Sequence, residues 1–218
     1  MKEQPLKIKV CGITEKSDIK ELIAMPIDYL GFIFYDKSPR YVSKSFYKQI
    51  ATLPESIKKT GVFVNETIEN ILQIVALCKL DYVQLHGNES PDYCRTLRNL
   101  SNIGIIKTFS VDEFIDPDMM SEYLNICDYF LFDTKCNEYG GSGKKYNWQL
   151  LNTYTHSVPF FLSGGISPDD SSEILSLNHP MLHAIDINSL FEITPGYKDL
   201  TLITPFIHQI KHHNESNQ

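Results

Sequence analysis

Eight short apolar runs, rich in β-branched and aromatic residues, recur along this chain, and a stretch with helical spacing follows nearly every one. That rhythm restricts the fold more than any other feature. The runs cover residues 8–13, 29–34, 61–64, 82–86, 104–111, 129–134, 159–163 and 184–188. Between them apolar residues return at helical intervals, as in Ile68, Ile71, Leu72, Val75 and Ala76. Ile174 and Leu175 do the same behind the Ser-Pro-Asp-Asp opening of residues 167–170, which reads as a cap and first turn. Strands separated by helices pair in parallel, because the crossover returns the chain to the same end of the sheet. The chain has 218 residues, 42% of them apolar, enough to bury one large core. Eight units in that length predict an α/β fold, a closed parallel (β/α)8 TIM barrel, which commonly takes roughly 200–250 residues. An open doubly wound sheet is the alternative, but no Gly-x-Gly-x-x-Gly turn supports it. No linker or low-complexity segment interrupts the series. A single domain over 1–218 is expected, with the barrel from about residue 7 to 211 and a polar C-terminal tail at 212–218, fraying from about His208.

A parallel barrel carries its chemistry at the carboxyl ends of its strands. Two strand ends in this chain finish in a reactive side chain followed by small or polar residues: Cys11 in Val10-Cys11-Gly12-Ile13-Thr14, and Asp133 in Phe132-Asp133-Thr134. Strands one and six are three steps apart around an eight-membered ring, so the two groups should face each other across the mouth. Strand alternation turns Lys9 inward with Cys11, and Leu131 inward with Asp133. Free thiols titrate near 8.5 and free aspartates near 3.9, so an acid–base pair built from them needs a protein environment that changes both. Each residue also has a plainer reading. A strand cysteine is often a small buried hydrophobe, whereas a carboxylate closing an apolar run is costly unless it is paired or used.

The formal net charge of −7, with no stripe of Lys and Arg, argues against nucleic acid and anionic membrane as partners. Cysteines at 11, 78, 94, 127 and 136 form no Cys-x-x-Cys pair, so neither a disulfide framework nor a paired-ligand zinc site is expected. The N-terminus shows no 7–15-residue apolar signal core, and no apolar run approaches the roughly 20 residues that span a bilayer. The cytoplasm is the expected compartment. The sequence leaves monomer and homodimer both open.

Taken together, the strand-end motifs resemble those of the phosphoribosylanthranilate isomerase family of tryptophan biosynthesis, from about Lys7 to Lys211. They are Val10-Cys11-Gly12-Ile13-Thr14, Leu30-Gly31-Phe32-Ile33-Phe34 with Ser38-Pro39-Arg40-Tyr41-Val42, Gly61-Val62-Phe63-Val64-Asn65, Val83-Gln84-Leu85-His86-Gly87, Asp133 with Gly140-Gly141-Ser142-Gly143, and Leu162-Ser163-Gly164-Gly165-Ile166. Six motifs in order on one barrel are far more specific than any one alone. The resemblance implies an Amadori rearrangement of an aminoaldose, N-(5'-phosphoribosyl)anthranilate, to the aminoketose, with a small phosphorylated substrate and neither cofactor nor metal. It makes Cys11 the base, Asp133 the acid and Arg40 the partner of the anthranilate carboxylate, a planar anion that suits a guanidinium fork. Gly141 belongs to a candidate loop cover. Gly164, Gly165, Asp186, Asn188 and Ser189 are placed at a sugar-phosphate site after strands seven and eight. The family's Asp-x-Ser-Ser-Gly-x-Glu pattern reads Asp186-Ile187-Asn188-Ser189-Leu190-Phe191-Glu192 here, and Leu190 in place of glycine predicts an ordinary negative φ at the start of a short helix.

His86 reads equally as a substrate contact or as a hydrogen-bonded lining residue. Lys107 is expected to point inward and to join Lys9 in a paired polar layer beneath the site. Pro195, Gly196, Lys198 and Asp199 are expected to cap the last helix. Two rival functions carry weight. The related indole-3-glycerol phosphate synthase relies on lysine and glutamate at strand ends, whereas strands two and three end here in Phe34 and Val64-Asn65. A non-catalytic phosphate-binding barrel would have no need of Cys11 and Asp133.

Overall fold

The computed structural model describes residues 5–134 and 145–212. Eight parallel strands close into a barrel in chain order: β1 (Lys7–Val10), β2 (Tyr29–Ile33), β3 (Lys58–Phe63), β4 (Tyr82–Leu85), β5 (Gly104–Val111), β6 (Tyr129–Thr134), β7 (Phe160–Leu162) and β8 (Leu182–Ile187). Closure is made by β8 pairing with β1, where Lys9 stands beside Asp186. The helices are α1 (Lys16–Leu22), α2 (Tyr47–Ala51), α3 (Ile68–Cys78), α4 (Pro91–Leu100), α5 (Pro117–Ser121), α6 (Ser171–Ser176) and α7 (Leu200–His212).

Local chemistry accounts for the helix starts. Thr67 accepts from the Asn70 N–H and caps α3, and Ser90 accepts from the Tyr93 N–H ahead of Pro91 in the first turn of α4. The cap expected at residues 167–170 is a capping box between Ser167 and Asp170. The outward faces of the strands and the inner faces of the helices form one continuous apolar layer. Inside the barrel, Tyr29, Ile106, Leu131, Phe161 and Ala184 form a separate cluster, with Tyr82 and Tyr129 packed against it. Edge-to-face contacts at 5.2 Å for Tyr29–Phe161 and 5.3 Å for Tyr129–Phe161 tie it together. The fully buried Phe161 alone stabilises the fold by about 1.5–3 kcal/mol. This plug makes the lower barrel a solid floor, so a substrate can enter only from the carboxyl end.

Several expectations need correcting. β3 begins at Lys58, ahead of the apolar run, because Lys59 faces outward and is satisfied by an ion pair with Asp81. Ahead of β7 the wall is a 3-10 segment, Trp148–Thr153, in place of a full helix. Gly196 does not cap the last helix. It lies in the turn of a β hairpin made by β9 (Glu192–Thr194) and β10 (Tyr197–Lys198), and its carbonyl accepts from Thr14 Oγ1 at 2.9 Å. Asp199 does cap α7, accepting from the Thr201 N–H at 3.0 Å. The last helix continues to His212, into the stretch expected to fray, since Ile210 is fully buried and Lys211 bonds Asp28 and the Leu6 carbonyl. Lys107 points out of the barrel, not into it. Its Nζ donates to Glu89 and to the Leu85 and Gly87 carbonyls, so it staples the loop after β4.

Candidate active site

The side chains at the carboxyl ends of the strands line one pocket, which takes in Cys11, Arg40, His86, Asp133, Gly164, Gly165, Asp186, Asn188 and Ser189. Every sequence-predicted site residue is therefore at this mouth except Gly141, which falls outside the described residues with the rest of its glycine cluster.

Cys11 follows β1 directly, and its N–H donates to the Ile187 carbonyl at 2.9 Å, which keeps it in register with β8. The space for its sulfur comes from Gly31. A Cβ built there would lie 2.5 Å from Cys11 Sγ, so a side chain at position 31 and the thiol cannot share the site. Beneath it, fully buried Lys9 donates to Asp186 Oδ2 at 2.7 Å and to Gln84 Oε1 at 2.6 Å. Burial alone would lower Lys9, but Asp186 and Cys11 leave it raised, so it remains an ammonium. Burial, the largest influence, pushes the Cys11 thiol up. Lys9 and Lys198 pull it down and Asp186 adds to the rise. The resting cysteine is thus a thiol at neutral pH, contrary to the downward change that a ready-made base would need, and the two nearby cations are what stabilises the thiolate when it forms.

Asp133 ends β6. The Thr134 N–H donates to its Oδ1 at 2.9 Å, and its Oδ2 lies 3.3 Å from His86 Nε2. Gly164, with φ of +89°, allows β7 to pass close by: a Cβ on it would sit 2.5 Å from Thr134 N and 2.9 Å from Asp133 Oδ1. Gly164→Ala should therefore cost roughly 1–3 kcal/mol of backbone strain and lower kcat together with the urea midpoint. Unchanged values for both would show that the turn does not press on Asp133.

Arg40 is buried rather than solvated. Its Nε and Nη2 grip the Glu192 carboxylate at 2.7–3.0 Å, and Glu192 also accepts from Lys198 Nζ at 2.6 Å. Burial would raise Glu192, but Arg40 and Lys198 hold it below the usual carboxylate range. One edge of the guanidinium is thus occupied by the protein. No bond of Nη1 to a described residue accompanies these, and Arg40 is part of the pocket lining. Lys198 also donates to Asn188 Oδ1 at 2.9 Å, so the β9–β10 hairpin orients both the arginine and the turn after β8. That turn runs as a 3-10 segment, Ser189–Phe191, and Leu190 is not among the residues at positive φ, as its sequence requires. Asp186 Oδ1 is buried and has no partner among the described residues. A buried orphan acceptor is costly.

Sequence reasoning missed Gln84, Glu192 and Lys198. Counting back two residues from His86 would have found Gln84, since alternate residues share a strand face. Glu192 closes the family pattern after strand eight, which marked its position but not its role, and Lys198 had no signal, because both roles depend on an unforeseen hairpin.

A barrel whose solid floor lies beneath a thiol and a carboxylate, set three strands apart on opposite walls, is an enzyme of the (β/α)8 class equipped for proton transfer. The model of the N-(5'-phosphoribosyl)anthranilate isomerase family matches residues 8–209, and the chain belongs to that family, isomerases of tryptophan biosynthesis. A relative of that name from Parabacteroides distasonis is 47% identical, over 94% of this chain and 93% of its own. The crystal structure of the Thermotoga maritima phosphoribosyl anthranilate isomerase superposes with a TM-score of 0.80 at 35% identity, covering 94% of this chain and 98% of that one. Another solved isomerase, in complex with reduced 1-(o-carboxyphenylamino)-1-deoxyribulose 5-phosphate, gives 0.77 at 32% identity over 94% and 98%.

Proposed function

We infer that this barrel performs the Amadori rearrangement of N-(5'-phosphoribosyl)anthranilate to 1-(2-carboxyphenylamino)-1-deoxyribulose 5-phosphate, with Asp133 as general acid and Cys11 as general base. Asp133 protonates the ring oxygen as the C1–O bond breaks, and the nitrogen lone pair forms the Schiff base. Cys11 reacts from its minority thiolate form, the thiol proton having first passed to solvent; it takes the C2 proton, and the C2–H electron pair makes the C1–C2 double bond of the enaminol. Protonation at C1 and loss of the C2 hydroxyl proton complete the ketone, so atoms balance without an external reactant.

The observation that carries this reading is that Cys11 and Asp133, three strands apart around the barrel, line one pocket. The synthase reading loses ground on the same wall, because no lysine or glutamate is among the described lining residues. A turnover assay separates the readings. Isomerisation consumes the fluorescent substrate without releasing carbon dioxide, the synthase reaction releases it, and a mere binder does neither.

The remaining lining residues divide between the ends of the substrate. The guanidinium of Arg40 suits the anthranilate carboxylate, and amides of the Gly164-Gly165 turn and Asn188-Ser189 suit the phosphate, while Asp186 anchors Lys9 beneath them. Arg40→Ala should weaken the reduced product analogue by roughly 1.5–3 kcal/mol and leave inorganic phosphate binding almost unchanged, as read by calorimetric titration. Equal losses for both ligands would misplace the carboxylate end. We place the enzyme in the cytoplasm, supported by the free state of Cys11, Cys78, Cys94 and Cys127. No helix among the described residues is long and apolar enough to cross a membrane.

A further inference from the structure

A chain of polar contacts crosses the floor of the pocket, from the base side to the acid side, through a residue to which the reaction itself gives no role. Lys9 Nζ donates to Gln84 Oε1 at 2.6 Å, Gln84 Nε2 lies 3.0 Å from His86 Nδ1, and His86 Nε2 lies 3.3 Å from Asp133 Oδ2. Each link has only one chemically sensible direction. An ammonium can only donate, so the atom of Gln84 facing Lys9 must be the carbonyl oxygen, and the opposite orientation of the amide would set NH2 against NH3+. The amide NH2 is then forced toward His86 and can only donate as well. Nδ1 must accept, which leaves the ring proton on Nε2, facing Asp133. Thr108 Oγ1, 3.3 Å from the same Nδ1, can adapt to either form and does not oppose this. Gln84 is 2% exposed and Lys9 fully buried, so no solvent competes for the contact between them.

We propose that Gln84 is a positioning residue for the isomerisation. Oriented by Lys9, it holds His86 as the Nε2–H tautomer, so that a donor faces Asp133 Oδ2 while the Thr134 N–H holds Oδ1. The carboxylate left after Asp133 gives its proton to the ring oxygen thereby has the Thr134 N–H already bonded to Oδ1 and a ring N–H 3.3 Å from Oδ2, poised to close on the charge as it develops. An amide does not relay protons under these conditions, so the chain orients groups and does not conduct. The proposal rests on Asp133 being the acid, and its test keeps the two ideas apart.

The sharpest variant is Gln84→Glu, which preserves size and gives Lys9 a carboxylate partner but replaces the donor at Nδ1 by an acceptor. Gln84→Met removes both contacts and guards against a rearrangement specific to the new charge. His86 is followed in uniformly 15N-labelled protein by long-range 1H–15N correlation, with its signals assigned by their loss in His86→Asn. Wild-type protein should show a protonated Nε2 and a bare Nδ1. Gln84→Glu should place a proton on Nδ1, and both variants should lose at least about tenfold in kcat, part of the range for general acid catalysis, with KM changed by less than about threefold and the thermal unfolding transition still cooperative. A proton on Nδ1 in the wild type, an unaltered His86 spectrum in Gln84→Glu, or wild-type kcat in both variants would overturn the proposal. Failure of the acid assignment would show separately, as full activity in Asp133→Asn while the His86 spectrum still responds to Gln84.

Discussion

Cys11→Ala leaves a folded barrel that binds the reduced product analogue but has lost about 10²–10⁴ in kcat, the usual contribution of a positioned base. The side chain is 4% exposed and small, and its sulfur fits over Gly31 without anchoring a strand. Its removal costs the fold about 1 kcal/mol, so the effect reads as chemistry. Lys9 keeps Asp186 and Gln84 as partners, and the floor of the pocket stays intact. The measurement is kcat from the fluorescence decay, set beside analogue affinity by titration. Wild-type kcat would end the assignment. A pH profile adds a signed check. Burial raises the Cys11 thiol above its ordinary value, so the thiolate is a minority at neutral pH and its fraction climbs as pH rises toward the raised value. The base-dependent limb of kcat/KM for the wild type should therefore ascend above neutrality, and no such limb should remain in Cys11→Ala.

Asp133→Asn is expected to lower kcat by at least about 100-fold, with KM little changed. The substitution keeps volume and shape but removes the transferable proton. It also breaks a contact. Oδ1 now accepts from Thr134 N–H and Oδ2 faces His86 Nε2, and an amide can present an acceptor to only one of them. Orienting its oxygen toward Thr134 sets NH2 against the imidazole N–H, a local conflict in a half-buried site that does not reach the core. A change confined to KM would make Asp133 a binding residue instead. Retained activity in both Cys11→Ala and Asp133→Asn would move the chemistry to another part of the pocket.

The strand series was legible because each run announces itself locally. Residues 129–134 and 104–111 are strands with the bounds read from sequence, β2 and β4 each stop one residue short, and β1 stops three residues short, at Val10. The two reactive ends were legible for the same reason: a polar group closing an apolar run stands out from its neighbours. Lys107 shows where this stops. In Gly104-Ile105-Ile106-Lys107-Thr108-Phe109-Ser110-Val111, apolar residues fall on both faces, since one side meets the barrel interior and the other the helices. Alternation then lacks a phase, and a one-residue error exchanges the faces.

The sequence by itself determined the eight-unit barrel and the ends at which its chemistry lies, because β and helical periodicity and turn residues act over a few neighbours. Only the tertiary structure decided which buried charge meets which partner. The Arg40 clamp on Glu192 joins residues 152 apart in sequence, and the Lys9 bond to Gln84 joins residues 75 apart. Such partners are set by ring closure and ladder register, which depend on every strand at once. Burial of the assembled pocket likewise turns Cys11 into a resting thiol, a consequence of desolvation that no local motif contains.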